Sequence, residues 1–158
     1  MSNEPCFSYL EFRVRYCETD QMGVVHHPNY YVWFENGRID LLRQCGVNYA
    51  ALERNKEYFP VVTCACKYHS PARFDDLLIV KTAIVEVESN KLGFGAWVYN
   101  KEEGGEASKP LCKLYSLHAY AKGDLSASPI PEEILEKVRP RLFEGTFFSK
   151  KRRRPPGF

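Results

Sequence analysis

The chain opens with a regular alternation of hydrophobic and polar positions between about residues 7 and 16. The apolar and charged sets interleave: Leu10, Phe12, Val14 and Tyr16 alternate with Glu11, Arg13 and Arg15. Because successive side chains of a strand point to opposite faces, this pattern predicts a half-buried β-strand. A glycine-bearing turn with the sequence ETDQMGVVHH follows the strand.

The next stretch, PNYYVWFENGRIDLLRQCG, has the period of an amphipathic helix. One broad face carries its buried candidates, which are Tyr30, Trp33, Phe34, Gly37 and Leu41. Pro28 suits the first helical position, and Gly46 is a stop signal. Glycine lowers helix stability relative to alanine, so Gly37 predicts a close approach of the helix to a sheet.

After a short helical segment near YAALER, the chain becomes rich in strands. Four stretches rich in β-branched and aromatic residues are predicted strands: YFPVVTCACKYH, LLIVKTAIVEVES, LGFGAWVYNK and LCKLYSLHAYAKG. A short amphipathic helix, PEEILEKVRPRLF, follows them and is interrupted by Pro140. The order of one strand, one long helix and then several strands predicts an α+β fold. In it, an antiparallel sheet carries the early helix on one face.

Size and composition favour one globular domain with a short tail. The chain has 158 residues, of which 44% are hydrophobic and 14% aromatic, enough for one packed core. We expect a domain over residues 1–145 and a flexible basic tail over 146–158, in which residues 150–154 are all basic. Such a tail also suits phosphates or an anionic membrane surface.

Two classes of protein are disfavoured by the sequence. No apolar run reaches the ~20 residues that span a bilayer, so we expect no integral membrane segment. The net charge is only +2, and there is no zinc-finger spacing or aromatic RNA-binding signature, so we expect no nucleic-acid partner.

The cysteines point to a reducing compartment. Six are present, none in a CxxC pair, and the N-terminus MSNEPCFSYLEF lacks the basic and apolar regions of a secretory signal. We therefore expect reduced thiols and a cytoplasmic location. Cys64 and Cys66 are two residues apart, so they share one face of a strand. Cys17 has no activating environment evident in the sequence and is not favoured as a nucleophile.

Asp20 is the first chemical candidate, in the segment YCETDQMGVVHHPNYYVWFENGR over residues 16–38. With a reference pKa of about 3.9, an aspartate is ionised at pH 7 and is ready to act as a base or nucleophile. The sequence TDQMG is also good turn chemistry, so a purely structural role for Asp20 stays open.

The start of the helix is the second candidate. Its first N–H groups lack internal partners and favour negative charge. Pro28 has no N–H, which leaves the amides near His27, Asn29 and Tyr30, and His27 is favoured by position. The adjacent His26 and His27 have no third ligand at a helpful spacing, so no metal site is predicted.

Two motifs together resemble a known family. The order Y-x-E-T-D-x-x-G-V-V-x-H-x-N-Y-x-x-W-F-E-x-x-R, followed by Y-H-S-P-A-R-F-D-D-L-L-I-V-K-T, resembles the hotdog-fold acyl-CoA thioesterases of the 4-hydroxybenzoyl-CoA thioesterase and YbgC type. The resemblance runs from about Phe12 to Lys122. It implies a curved antiparallel sheet of about five strands wrapped around a long central helix. Glu18 departs from the pattern, where aspartate is common, but keeps the charge.

The resemblance assigns roles at the reaction centre. It implies that Asp20 attacks the thioester or activates water, and that the helix start near His27 polarises the thioester carbonyl. The His27 side chain is either a second donor or a polar cap before the helix. Glu35 is the reserve catalytic candidate, because a helix glutamate is catalytic in some related enzymes. From spacing alone, Glu35 and Arg38 form an ion pair one turn apart.

The resemblance also suggests substrate contacts. Tyr30, Trp33 and Phe34 line the acyl pocket or serve as core, and Arg73 meets the nucleotide end of coenzyme A or is a solvated loop charge. His118 lies mid-strand and is expected to be a satisfied core histidine.

The implied activity is hydrolysis of an acyl- or aroyl-CoA to free acid and CoA. Coenzyme A is part of the substrate, so no cofactor is expected, and acyl carrier protein is a possible partner. We expect a homodimer or homotetramer, with the tetramer preferred. The alternatives are a non-catalytic acyl-thioester-binding hotdog protein and a 3-hydroxyacyl thioester dehydratase.

Overall fold

The computed structural model describes residues 5–147, which form an α+β fold. The strands are β1 (Phe7–Arg13), β2 (Glu57–Tyr58), β3 (Val61–Tyr68), β4 (Leu77–Val87), β5 (Lys91–Asn100), β6 (Cys112–Ala119), β7 (Ala121–Lys122) and β8 (Ser126–Ala127). The helices are α1 (Asn29–Gln44), α2 (Tyr49–Arg54) and α3 (Glu132–Val138). The predicted order of one strand, one long helix and a run of strands is confirmed.

The main sheet is antiparallel and has five strands in the order β1-β4-β5-β6-β3. Strands β2, β7 and β8 form a smaller sheet. The long predicted strands from residues 58 and 111 are each interrupted by a break, so each contributes to both sheets. Strands β1 and β3 are therefore the two edges of the main sheet.

Helix α1 packs on one face of the main sheet. The predicted apolar face is confirmed, because Tyr30, Trp33, Phe34, Gly37 and Leu41 are all buried. Pro28 immediately precedes the helix with φ −65° and ψ −23°, which suits its fixed ring geometry. Gly46 follows the helix end at φ +82°, a conformation that glycine adopts without strain.

Gly37 lies directly against the sheet, as predicted. A Cβ atom added there would collide with the hydroxyl of Thr82 on β4. Thr82 is fully buried, and its Oγ1 has no hydrogen-bond partner among the described residues. The glycine therefore sets how closely α1 approaches β4.

We expect Gly37→Ala to lower the free energy of unfolding by about 1–3 kcal/mol, as for overpacked cores. In urea denaturation, adding Thr82→Ala to the Gly37→Ala protein should restore part of the lost stability. The second substitution removes the hydroxyl that the new methyl group contacts. Asn36→Ala, at an exposed neighbour on the same helix, should leave stability nearly unchanged. A Gly37→Ala protein as stable as wild type would show that the contact with Thr82 does not limit the packing.

The expected burial of Tyr16 is wrong. Strand β1 ends at Arg13, and residues 16–18 form a 3-10 turn, which interrupts the alternation of faces. Tyr16 is consequently 78% exposed, and its ring contacts Phe74 with centroids 5.6 Å apart.

The outer face of the main sheet is crossed by the last described segment. The ring of Phe147 occupies the space beside Gly95 of β5, and its centroid lies 4.9 Å from that of Trp97. The described chain therefore packs against the outer face of the main sheet as far as Phe147. The predicted basic tail falls, from residue 148 onward, outside the described residues. No helix within residues 5–147 is long and apolar enough to cross a bilayer.

Candidate functional site

The segment between β1 and α1 folds back on itself. Thr19 and Val25 form an isolated antiparallel bridge, the Asp20 N–H donates to Val24 O over 2.9 Å, and the His26 N–H donates to Glu18 O over 2.8 Å. Gly23, at φ +75°, permits the reversal. This ladder holds the Asp20 turn beside the chain that leads into α1.

Asp20 is half-buried, and its carboxylate takes part in the turn. Its Oδ1 accepts a hydrogen bond from the Met22 N–H over 2.8 Å. The other oxygen, Oδ2, has no hydrogen-bond partner within residues 5–147. Asp20 thus has the predicted turn role while keeping an acceptor oxygen for another group.

The amides at the helix start are not equivalent. The Asn29 N–H donates to His26 O over 3.0 Å, and the Tyr30 N–H donates to His27 O over 3.4 Å. The His27 N–H has no acceptor among the described residues, and His27 is exposed. Of the three candidate donors, His27 therefore has the amide that is free to bind a ligand oxygen.

The side chain of Glu18 links the segment between β1 and α1 to helix α1. Its buried carboxylate accepts hydrogen bonds from the Arg15 N–H over 2.8 Å and from Trp33 Nε1 over 2.9 Å, and it pairs with the Arg15 guanidinium at 3.1 Å. Burial raises the pKa of Glu18, but the hydrogen bonds from Arg15 and Trp33 outweigh it, so the net pKa is lowered. The sequence marked Glu18 only as a departure from a pattern, whereas the structure makes it an anchor of the site.

We expect the ionised Glu18 to make stability depend on pH in mild acid. A carboxyl with a lowered folded pKa stabilises the fold above its unfolded pKa of about 4.3, and that contribution is lost as pH falls through the lower folded value. Thermal unfolding from pH 7 to pH 3 should show this loss in wild type and a smaller one in Glu18→Gln. Glu132→Gln, at an exposed position on α3, is the matched control. Equal pH slopes for wild type and Glu18→Gln would contradict the assignment.

The aromatic candidates lie under the helix start as core residues. Tyr30, Trp33 and Phe34 are only 2%, 4% and 2% exposed. The hydroxyl of Tyr30 accepts a hydrogen bond from the Ala72 N–H over 3.3 Å, and burial raises the pKa of Tyr30 to about 12.

Tyr68, which opens the second sequence motif but was given no role there, joins them. Its hydroxyl donates to His27 O over 3.0 Å, and its ring contacts Tyr30 with centroids 5.2 Å apart. Nothing about its position at the end of a predicted strand indicated that its hydroxyl would contact His27 O.

Arg73 lies beside the same turn. The Val25 N–H donates to Ala72 O over 2.8 Å, which ties the 70–76 loop to the ladder. The guanidinium of Arg73 donates to Gly23 O over 3.3 Å, and the residue is exposed. The tertiary structure thus brings Arg73 to the turn that carries Asp20, although 53 positions separate the two in sequence.

Comparison with known proteins assigns the family. A model described as the Thioesterase-like superfamily matches residues 14–138. The chain belongs to this superfamily. The YneP protein of Bacillus subtilis, named provisionally as an acyl-CoA thioesterase, is 39% identical over 59% of this chain and 67% of its own. The acyl-CoA thioester hydrolase YbgC of Escherichia coli O6:H1 is 34% identical over 57% of this chain and 67% of its own.

The fold of this thioesterase-like chain is similar to that of a solved structure. A 4-hydroxybenzoyl-CoA thioesterase variant, solved with 4-hydroxybenzoyl-CoA, superposes with a TM-score of 0.75 at 20% identity, over 84% of this chain and 98% of the other. At that identity the likeness bears on the fold alone. The predicted hotdog fold is confirmed. The predicted resemblance to thioesterases of the YbgC type is confirmed by the superfamily match and by the similarity to YbgC.

The reserve candidate Glu35 belongs to a different part of the thioesterase-like domain. It is exposed and lies eight residues after His27, roughly 12 Å along a helix axis. With Arg38, Tyr49 and His118 it borders a small cavity. The predicted ion pair with Arg38 is not formed within residues 5–147, because the Arg38 guanidinium lies against the His118 ring.

His118 is a satisfied core histidine, as expected. Its Nδ1 is 2.9 Å from Phe59 O, and its Nε2 is 2.8 Å from Ser116 Oγ. Burial, together with the Arg38 charge, lowers the pKa of His118 to about 4, so the ring is neutral at pH 7. The exposed rings of His26 and His27 stand edge to face, and no cluster within residues 5–147 has the side chains to hold a metal ion.

Proposed function

We propose that this chain hydrolyses acyl-CoA thioesters at a site formed by Asp20 and the start of α1. The prediction of a thioester hydrolase is confirmed by the family and by the names of its relatives. The finer proposal rests mainly on one observation. The His27 N–H has no acceptor within residues 5–147, and the ladder from Glu18 to His26 holds the preceding chain beside the Asp20 turn.

Asp20 supplies the negative charge that the reaction needs. Its carboxylate either attacks the thioester carbon or takes a proton from a water that attacks. Both routes require an ionised oxygen that is free of other partners, and Oδ2 has none among the described residues. The Met22 N–H holds Oδ1 and so fixes the direction of the carboxylate.

The start of α1 stabilises the charge that develops on the thioester oxygen. The free His27 N–H and the positive end of the helix dipole favour an oxyanion there. The exposed His27 ring is available as a second donor to the oxygen or to the leaving sulfur. The Asn29 N–H donates to His26 O, at the other end of the peptide that carries this N–H, and so helps to orient it. Tyr68 donates to His27 O on the next peptide and steadies the backbone of His27.

The substrate is proposed to extend in two directions from this centre. Tyr30, Trp33 and Phe34 are buried beneath the helix start, and we propose that these apolar side chains back the pocket for an acyl or aroyl group. Arg73 is exposed beside the Asp20 turn, where a guanidinium suits the phosphates of coenzyme A. Coenzyme A or the arm of an acyl carrier protein provides the thiol, and no separate cofactor is needed.

A thiol-release assay over a panel of aroyl-CoA and straight-chain acyl-CoA esters tests the function. We expect turnover of at least one ester class, and the preferred class identifies the acyl group. An acyl-carrier-protein ester of the same acyl group, assayed in parallel, decides between the two carriers. Thioester binding without release would instead indicate the non-catalytic alternative, and hydration of an enoyl thioester would indicate a dehydratase.

We propose that the active form is at least a homodimer, with a homotetramer preferred. Edge strands β1 and β3 offer unpaired backbone groups, and Val61 and Val62 on β3 are each 54% exposed. Pairing of two copies along an edge would cover such groups. Light scattering at assay concentration should give a multiple of the 18.3 kDa chain mass. A stable, active monomer would contradict the proposal.

A further inference from the structure

Two thiols are in contact on neighbouring strands below the helix start. The sulfur atoms of Cys66 on β3 and Cys112 on β6 are 3.0 Å apart, and both residues are free cysteines. In the strand register Cys66 faces Leu114 and Cys112 faces Tyr68, so the two thiols meet diagonally across the strands. A disulfide bond of about 2.05 Å needs the sulfurs to approach by only about 1 Å.

The two thiols have different surroundings. Cys112 is fully buried in the core, whereas Cys66 is half-buried at the sheet edge. The hydrogen bond from Cys112 lowers the pKa of Cys66, while the same bond and burial raise the pKa of Cys112. A reachable thiol with a lowered pKa, in contact with a second thiol whose pKa is raised, is the arrangement of oxidation-sensitive dithiols.

We propose that Cys66 and Cys112 form a dithiol site that hydrogen peroxide closes reversibly to a disulfide. The Cys66 thiolate attacks one peroxide oxygen, the O–O bond breaks, and the leaving hydroxide takes a proton to become water. The sulfur of Cys112 then attacks the resulting Cys66 sulfenic acid. The S–O bond breaks, and the departing hydroxide takes the Cys112 proton as a second water. Two thiols are oxidised and one peroxide is reduced.

The dithiol site is connected to the proposed reaction centre through Tyr68. Tyr68 lies two residues after Cys66, and its hydroxyl donates to His27 O over 3.0 Å. Drawing β3 toward β6 by a covalent bond at Cys66 displaces Tyr68 from the helix start. We expect oxidation to lower thioester turnover by about threefold to tenfold, the effect of losing one hydrogen bond. This coupling rests on the proposed function, whereas the disulfide itself does not.

Mass spectrometry of the full-length chain tests the site directly. The reduced protein is exposed to hydrogen peroxide, remaining thiols are alkylated, and the protein is digested without reductant. We expect a disulfide that joins the Cys66 and Cys112 peptides, with the other cysteines alkylated, and its loss on adding dithiothreitol. A chain that keeps both thiols, or that forms its disulfide elsewhere, would overturn the proposal.

Cys64 provides the matched control. It lies two residues before Cys66 on the same face of β3 and is more exposed. Cys64→Ser should still form the disulfide, whereas Cys66→Ser and Cys66→Ala should not. Circular dichroism identifies any variant that fails to fold.

Turnover should fall on oxidation in wild type and Cys64→Ser but not in Cys66→Ser or Cys66→Ala. An unchanged rate in the oxidised wild type would overturn the coupling through Tyr68. If the reduced protein releases no thiol from any ester, the proposed function fails, while the mass spectra still decide the dithiol site.

Discussion

Asp20→Asn is expected to lower kcat by about 10²–10⁴-fold while substrate still binds, the range for a positioned acid–base group. Asparagine keeps the shape of the side chain and an oxygen that accepts the Met22 N–H, so the turn should persist. The substitution removes the negative charge that attacks the thioester or activates water. Steady-state kinetics give kcat, and binding of the unreacted ester to the variant gives its affinity.

Asp75→Asn is the control for this variant. Asp75 lies in the neighbouring exposed loop at φ +67°, a conformation that asparagine tolerates. The Asp75→Asn substitution removes a negative charge outside the proposed reaction centre. We expect its kcat to stay within about twofold of the wild-type value, because surface substitutions usually have little effect. Near-normal turnover of a folded Asp20→Asn protein would exclude Asp20 as the catalytic group.

Replacing the His27 amide with an ester, by incorporating the α-hydroxy acid of histidine, should lower kcat by about 10²–10³-fold. The change removes the N–H and keeps the imidazole. The expected loss follows because the neighbouring Asn29 and Tyr30 amides already donate to His26 O and His27 O. No other amide among the three candidates is free to hold the developing oxyanion.

His27→Ala separates the backbone from the side chain. It keeps the N–H and removes the imidazole, so a mainly backbone role predicts a loss no greater than about tenfold, one ordinary hydrogen bond. A structure with a bound thioester analogue should place the carbonyl oxygen roughly 2.7–3.1 Å from the His27 nitrogen. A large loss in His27→Ala with a small loss in the ester variant would reverse the assignment and make the imidazole the donor.

The elements of the fold were predictable because each depends on nearby residues. The alternation before Arg13 and the helical spacing of Tyr30, Trp33 and Phe34 follow from the geometry of strand and helix. Gly37 predicted a tertiary contact, because a helical residue without a side chain allows the helix to lie close to a sheet. Tyr16 was mispredicted because a 3-10 turn interrupts the alternation, and the sequence contains no glycine or proline that marks this turn.

The candidate site was predictable only as far as it is contiguous in sequence. Asp20 and His27 lie within one short segment, and the resemblance to a thioesterase family drew attention to both. Arg73 was found through a second motif, but its bond to Gly23 O depends on the packing of separate loops. Tyr68 was missed because its hydroxyl reaches His27 O across 41 positions in sequence, which no local pattern reports.

By itself, the sequence determined that an acidic turn precedes an amphipathic helix and that a run of antiparallel strands follows. Only the tertiary structure decided that the His27 amide lacks an acceptor among the described residues, that Glu18 is buried against Trp33, and that Cys66 contacts Cys112. The physical reason is the range of the interactions. Backbone geometry and side-chain period act between neighbours and can be read along the chain. Hydrogen-bond partners and burial depend on how distant segments pack, as with the two thiols 46 positions apart.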